Sequence, residues 1–343
     1  CAGAQSALGE SQEEAPLLTA ALPLEEGLER SLSIDDLVRF FTKPTQYFLE
    51  RRLGLYLAEE EYLQEEREPL AVGGLSGWKV GDALLQRALA GEDPKELYDS
   101  VRAAGVLPLG AVGRCSYQEL QSSIVSLCAF ARRFAEGEAR ESLFVDQIIA
   151  GTRVTGNLDN IWPQGRVQVG FARLGRPGEL AQWIRHLFLS LVAPADYSKE
   201  TILIGRAEKG VGEVAVCFHE VPDPMAALTE LVEVYWAGQL APLPFFPIAA
   251  RRFASQLGEG VLAQLSTDEL RTAVDDADRV YRGSRDYPGE ATGVYVSHVF
   301  RDTRCLDPDF RIFEDLPAGY QNFPVLATRI FQALLRSRER IPT

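Results

Sequence analysis

Two neighbouring candidate strands carry the residues that decide whether this chain could hydrolyse phosphodiesters. Arg153–Asp159 ends on an acid, and Arg166–Ala172 follows after a short turn. In one nuclease design, an Asp at the end of the first strand and an acid-x-Lys triplet on the second hold Mg²⁺ and activate water. Gly170 stands here in place of the second carboxylate, and Ala172 in place of the Lys. We therefore predict that the chain has the strand layout of such a site but lacks its catalytic residues. Asp159 is then a turn residue.

The cysteines and histidines do not have the spacing of a metal or cofactor site. No two cysteines form a C-x-x-C pair, and a chain of this size does not need disulfides to fold. We interpret Cys115, Cys128 and Cys217 as small buried hydrophobic residues in a reducing, cytoplasmic setting, and we expect no metal and no cofactor. The cysteines are Cys1, Cys115, Cys128, Cys217 and Cys305, and the histidines are His186, His219 and His298.

The net charge is strongly negative, which by itself argues against a surface that binds nucleic acid. The 343 residues include 35 basic and 49 acidic ones, for a formal charge of −14. Twelve of the acidic residues and two of the basic ones lie in 1–32 and 58–68, which we interpret as solvated segments. The remainder is close to neutral and can carry basic patches. No apolar run approaches the roughly 20 residues that span a bilayer, so we expect no membrane contact.

Hydrophobic periodicity and capping patterns predict the helices around these strands. Ser33 with Asp36 predicts a helix N-terminus, and Pro44 predicts the start of a second helix. Ser116 with Glu119 predicts the start of a long helix that runs to Phe134. Further helices are predicted after Pro222 and over residues 78–89, 94–105, 179–191 and 323–338.

The strands predict an α/β sheet that is flanked by helices. Besides the two strands above, residues 143–150 are short, β-branched and partly alternating. Thr201–Ala207 and Glu213–His219 predict a hairpin with Lys209 near its tip. Such a hairpin is either a wedge that separates strands or an ordinary edge hairpin. Residues 284–322 are predicted to form a long aromatic loop, either at a subunit interface or packed on itself.

Clustered cations are the candidate contacts to DNA phosphates. A guanidinium can bind a phosphate through two parallel hydrogen bonds. Any one of these pairs could instead be an ordinary solvated helix face. The candidates are Arg132, Arg133, Lys209, Arg251 and Arg252, with Arg336, Arg338 and Arg340 near the C-terminus.

Several motifs together resemble a known family. Residues 33–48, SIDDLVRFFTKPTQYF, resemble the entry helix of RecB-type nuclease domains. Later stretches are similar to the RecC branch, the gamma subunit of exodeoxyribonuclease V. Active nucleases of this kind carry a His in the helix after the entry motif, and residues 78–89 have none. The RecC-like stretches are RRLGLY (51–56), GLSGW (74–78), RAAGVLPLGA (102–111) and PLPFFP (242–247).

This resemblance implies a fold, a division of the chain and a set of partners. The fold would be a PD-(D/E)XK nuclease-like core with a degenerate site over residues 33–240. An acidic linker would precede it over residues 1–32, and a helical and loop extension would pack on it over 241–343. The chain would be no enzyme on its own, but a DNA-handling and assembly domain of a helicase–nuclease in double-strand break repair and recombination. Its partners would be forked or single-stranded DNA and the RecB-type and RecD-type helicase subunits. Because it begins at Cys1 without Met, we expect it to belong to a longer protein.

Two other interpretations stay open. An active Mg²⁺-dependent nuclease with migrated ligands would use Asp146, Asp159 and Glu179 as acids, and Lys199 or Lys209 as the base. The missing acid-x-Lys strand argues against it. The other alternative is a protein-interaction module of a different repair complex.

Overall fold

The computed structural model describes residues 17–24, 30–57, 74–174, 177–207, 212–258, 260–284, 288–301, 303–314 and 316–341. Within these ranges the chain forms two mixed β-sheets flanked by helices. The predicted α/β class is confirmed, but the predicted single sheet is wrong, because the strands divide between two sheets. The strands are β1 (Ser31–Ser33), β2 (Leu143–Ile149), β3 (Thr152–Leu158), β4 (Ile161–Trp162), β5 (Gly165–Arg173), β6 (Thr201–Arg206), β7 (Glu213–Phe218) and β8 (Arg338–Ile341). The α-helices are α1 (Ile34–Thr42), α2 (Pro44–Arg52), α3 (Gly74–Leu89), α4 (Tyr98–Ala103), α5 (Gly110–Ala131), α6 (Pro177–Val192), α7 (Pro224–Leu240), α8 (Pro247–Leu257), α9 (Thr267–Arg282), α10 (Val294–Phe300) and α11 (Phe323–Ser337).

The two N-terminal helices begin where their caps predicted. The Ser33 hydroxyl accepts a hydrogen bond from the backbone N–H of Asp36 at 2.9 Å, which satisfies a donor that α1 cannot pair internally. Pro44 opens α2, where its missing N–H is not needed. The apolar stripe of α1 is buried, including Phe40 and Phe41. Both cap predictions are therefore confirmed.

The first sheet has the strand order β1-β3-β2. β2 and β3 form an antiparallel hairpin whose turn places Ala150 and Gly151 at φ 46° and 71°. β1 adds to β3 in parallel. One face of β2 is buried, whereas the other exposes Phe144 and Ile148 to solvent.

The second sheet has the strand order β4-β5-β6-β7-β8. β5 and β6 are parallel, and the other neighbouring pairs are antiparallel. The predicted hairpin is confirmed as β6 and β7, but its tip, with Lys209, lies outside the described residues. β8 was not predicted; it completes the sheet by pairing with β7.

β3 and β5 are not joined by the simple short turn that the sequence predicted. They lie in different sheets, and the intervening segment contributes β4, which pairs with the start of β5 through Trp162 and Gly165. Asn160 has φ 63°, a left-handed conformation that Asn tolerates and that redirects the chain after β3. The end of β3 still meets β5, because the Val167 N–H donates to the Asn160 carbonyl oxygen at 2.9 Å.

Helices cover both faces of the second sheet. α3 and α5 pack on one face against Val167, Val169 and Phe171 of β5. A Cβ on Gly81 of α3 would overlap the ring of Phe171, so glycine permits this close approach. The opposite face packs on α6 and the larger core. Burial on both faces explains why β6 is almost continuously buried and apolar.

Two predictions about element boundaries are wrong. α5 begins at Gly110 rather than at Ser116, which is buried inside the helix. The segment 284–322 is not a loop throughout, because it contains α10 and buries Tyr295 and Phe300. The sequence left two alternatives for this segment, a subunit interface or packing on the chain itself. The burial of Tyr295 and Phe300 matches packing on the chain itself.

One hydrophobic cluster joins the predicted core to the predicted C-terminal extension. It includes buried residues from Leu32 to Leu334, with contributions from α8, α9 and α11. The division at residue 240 remains a prediction, and most of the predicted linker 1–32 and the acidic segment 58–68 lie outside the described residues. In the described part of the chain, no helix combines the length and the apolar character needed to cross a membrane.

Candidate functional site

Asp159 lies directly after β3 at the turn into the second sheet. Its carboxylate is exposed and accepts a hydrogen bond from the Ser142 hydroxyl at 2.5 Å. Its backbone carbonyl accepts from Nε of Arg166 at 3.1 Å. Asp159 thus occupies the turn position that the sequence predicted for it.

The two residues that were predicted from the sequence to stand in place of the missing ligands lie on β5. Gly170 and Ala172 alternate with the buried Val169 and Phe171 and are themselves half-buried. A Cβ on Gly170 would have the Ala172 nitrogen, at 4.0 Å, as its nearest neighbour, so a side chain would fit there. The strand has the space for a second carboxylate but not the residue.

Arg166 supplies the buried positive charge at this place. Its Nη1 donates to the Gln182 side-chain oxygen of α6 at 2.8 Å, and its Nη2 to the Gln168 side-chain oxygen at 3.4 Å. Together with the carbonyl of Asp159, these acceptors are uncharged oxygens. Burial lowers the pKa of Arg166 to about 10, and the nearby Arg185 adds to this effect. The guanidinium therefore remains charged at neutral pH and holds the turn against α6.

The acids suspected of having migrated do not converge with Asp159. Both carboxylate oxygens of Asp146 bind Arg153, at 2.7 and 2.8 Å. Lys199 donates to Glu220 at 2.7 Å. The described residues contain one group of three or more His, Cys, Asp or Glu with ligand atoms within 4.8 Å, and it includes neither Asp146, Asp159 nor Glu179.

Glu179 instead lies at the centre of two buried ion pairs, with Arg251 and Arg338, that the sequence did not indicate. We call this group the Glu179 node. The side chain of Glu179 is 1% exposed, and its carboxylate contacts Arg251 at 3.2 Å and the Nε of Arg338. The node links the N-terminal turn of α6 to α8 and to β8. Its partners come from positions 72 and 159 residues away in sequence, so no local motif could reveal it.

The predicted DNA contacts have different surroundings. Arg132 and Arg133 are exposed directly after α5, and Arg133 lies over the Phe130 ring at 5.1 Å. Arg252 binds Asp276 at 2.9 Å, and Arg251 belongs to the Glu179 node. The two arginine pairs lie on different elements, directly after α5 and on α8, and Lys209 lies outside the described residues.

Comparison with known proteins agrees with the resemblance. A family model described as the RecC C-terminal domain matches residues 29–258. The RecBCD enzyme subunit RecC of Mycobacterium tuberculosis (strain ATCC 25618 / H37Rv) is 28% identical over 244 residues, which are 71% of this chain and 22% of that protein. The RecBCD enzyme subunit RecC of Escherichia coli (strain K12) is 24% identical over 281 residues, 81% of this chain and 24% of that protein. The aligned regions are thus about a quarter of these relatives, and because the family model covers most of this chain, the chain belongs to the RecC C-terminal domain family.

Proposed function

We propose that this chain is a non-catalytic DNA-handling and subunit-assembly domain of a RecBCD-type helicase–nuclease in double-strand break repair and recombination. The observation that carries the proposal is the site at Asp159. A guanidinium, Arg166, provides the charge there, while Gly170 and Ala172 replace the acid and the lysine that water activation needs. The names of the relatives, RecBCD enzyme subunit RecC, support the assignment to such a complex. We place this complex in the cytoplasm.

The same residues support a degenerate PD-(D/E)XK nuclease core as the origin of the fold. An acid follows β3, β5 starts close to it, and Gly170 stands on the half-buried face of β5. In a nuclease of this design, that face would carry the second carboxylate and the lysine. The chain would keep the strand positions of the metal ligands and of the lysine, with Gly170 and Ala172 in place of the residues themselves.

DNA handling would use the basic surface around α5 and the β6–β7 hairpin. Arg132 and Arg133 are exposed after α5, and a groove at the base of the hairpin is lined by Ser122, Arg173 and Arg206 among others. Arginines and hydroxyls are common partners of phosphate oxygens. The hairpin, with Lys209 near its tip, would act as the wedge at a DNA fork.

Assembly with another subunit would use the exposed edge of the first sheet. β2 is the edge strand, and on its solvent-facing side Phe144 and Ile148 are 66% and 73% exposed. Large apolar side chains that are exposed next to an unpaired strand edge favour a partner protein. We propose the RecD-type helicase subunit as the partner on this face, with the RecB-type subunit elsewhere in the same complex.

A pull-down from cells that co-express the chain with its RecB-type and RecD-type subunits tests this proposal. We expect the RecD-type subunit to be retained, and we expect the double variant Phe144→Ser/Ile148→Ser to reduce retention at least several-fold. Leu109→Ser is the matched control, because Leu109 is 79% exposed but lies before α5. Retention of neither helicase subunit, or equal losses in both variants, would contradict the proposal.

A further inference from the structure

Three potential metal ligands meet at one end of the second sheet. Thr201 of β6 is opposite Phe218 of β7, so Glu200 and His219, one residue beyond each, face one another. Cys217 precedes His219 by two residues, and alternation along the strand therefore places both on the same face. The register of the strands thus brings the carboxylate of Glu200 close to the thiol of Cys217 and the imidazole of His219.

The distances between these ligand atoms suit one small cation. Nδ1 of His219 lies 3.1 Å from Oε1 of Glu200 and 3.8 Å from Sγ of Cys217. All three atoms lie within 4.8 Å of one another. Tetrahedral zinc with bonds of about 2.0 Å to nitrogen or oxygen and about 2.3 Å to sulfur separates neighbouring ligand atoms by about 3.4–3.6 Å. Both contacts that include Nδ1 are close to this spacing.

Glu339 supplies the outer partner that such a histidine needs. β8 pairs with β7 so that Glu339 lies opposite Cys217, on the same face as the three ligands. The other ring nitrogen of His219, Nε2, contacts Oε2 of Glu339 at 2.7 Å. Histidines that bind a metal through one nitrogen usually donate the N–H of the other to a carboxylate. Glu339 would therefore orient the ring and direct Nδ1 toward Glu200 and Cys217.

The charge and exposure of the cluster also favour a cation. The carboxylates of Glu200 and Glu339 both contact His219. Lys199, the basic residue directly before Glu200, forms its ion pair with Glu220. Cys217 is buried, while the side chains of Glu200 and His219 are about half-exposed, so solvent can reach the cluster from one side. One coordination position would remain open to water.

We propose that Glu200, Cys217 and His219 bind a zinc-class divalent transition-metal ion that fastens the ends of β6 and β7 to β8. A ligand set of sulfur, nitrogen and oxygen suits Zn²⁺, whereas Mg²⁺ prefers six oxygen ligands. The site shares no ligand with the position at Asp159, so it does not depend on the proposed function. The sequence predicted no metal site, because zinc sites are recognised in a sequence by closely spaced Cys and His residues. Here the register of the sheet brings the ligands together.

Titration of the chelator-treated chain with Co²⁺ tests the site directly, because a cobalt–thiolate bond has its own charge-transfer absorption. We expect one equivalent of Co²⁺ to bind with this absorption, Zn²⁺ to displace it, and a large excess of Mg²⁺ to leave it unchanged. Binding without a thiolate band, or no binding, would overturn the proposal.

Variants of the chain localise the metal. Cys217→Ser should abolish the thiolate band, and Glu339→Gln should keep the band while weakening cobalt affinity by about 10–100-fold. Cys115 is exposed, so the prediction that it is buried is wrong, and Cys115→Ser should leave both unchanged. Circular dichroism of each variant verifies folding. A band that survives in Cys217→Ser, or disappears in Cys115→Ser, would place the metal on another cysteine and refute the assignment.

Discussion

The Nε of Arg166 donates to the backbone carbonyl oxygen of Asp159 at 3.1 Å, although the two residues flank a boundary between sheets. The same guanidinium donates to Gln182 of α6 at 2.8 Å. A buried cation thus stabilises the turn after β3. Arg166 therefore acts as a structural joint between β3, β5 and α6.

Replacing Arg166 with Ala should lower the free energy of unfolding by about 2–4 kcal/mol. The change removes hydrogen bonds from a charged donor and leaves the partly buried Gln182 oxygen without its donor. Urea unfolding measures this quantity. The control is Arg132→Ala, an exposed arginine whose loss should change stability by less than about 0.5 kcal/mol. Equal effects of the two variants would show that Arg166 is not a joint.

Replacing Glu179 with Gln should destabilise the chain by about 3 kcal/mol, because Arg251 and Arg338 would lose the charge that they share in a buried place. Thermal and urea unfolding provide the measurement. Glu220→Gln, which breaks the more exposed pair with Lys199, should cost at most about 1 kcal/mol. If Glu179→Gln lowered the free energy of unfolding by less than about 1 kcal/mol, the buried Glu179 node would be contradicted.

Stability should fall with rising pH through the titration of Glu290. The carboxylate accepts hydrogen bonds from the N–H groups of Ile248 and Ala249 at 3.0 and 2.9 Å, at the start of α8. Burial nevertheless raises its pKa from 4.5 to about 7. Between these values the folded state binds the proton and the unfolded state does not, so the contribution that is present below about pH 4.5 is lost as the pH rises through about 7.

Comparison with Glu290→Gln isolates this effect. His186 acts in the opposite direction, because burial lowers its pKa to about 4 and its contribution is lost as the pH falls. Between pH 5 and pH 8, we expect the wild-type free energy of unfolding to decrease by about 2 kcal/mol more than that of the variant. Parallel curves would show that Glu290 does not titrate in this range.

Reversing the charges of Arg132 and Arg133 should weaken binding to forked DNA and make it less sensitive to salt. If each arginine contacts one phosphate, the double change to Glu should reduce the slope of log affinity against log salt by about 2. Fluorescence anisotropy at several salt concentrations measures this slope. Arg252→Glu is the comparison, since Arg252 is already paired with Asp276. An unchanged slope in the Arg132/Arg133 variant would exclude these phosphate contacts.

Local signals predicted the elements that depend on local chemistry. Ser33 and Pro44 marked the starts of α1 and α2, and β-branched runs marked β6 and β7. The same kind of signal was misleading at Ser116, because a Ser followed by Glu at the third position also occurs inside a helix; α5 begins earlier, without a side-chain cap. β8 was missed, since Arg-Glu-Arg in an edge strand has little apolar pattern.

The proposal of a degenerate site comes from the sequence, whereas the contacts around it could not be predicted from the sequence. Asp159, Gly170 and Ala172 follow one another along two neighbouring candidate strands, and this order alone suggested the assignment. The roles of Arg166 and Glu179 depend on partners that only the tertiary fold brings close. The same holds for Glu200, Cys217 and His219, which the register of the sheet aligns.

A nuclease assay with the highly purified chain tests the central claim most directly. Single-stranded and duplex DNA would be incubated with Mg²⁺ and with Mn²⁺, beside an identically purified Asp159→Asn variant. We predict no metal-dependent cleavage by either protein, because Asp159 has neither a second carboxylate nor a lysine beside it. Cleavage that accompanies the wild-type chain through purification and disappears in Asp159→Asn would contradict the account.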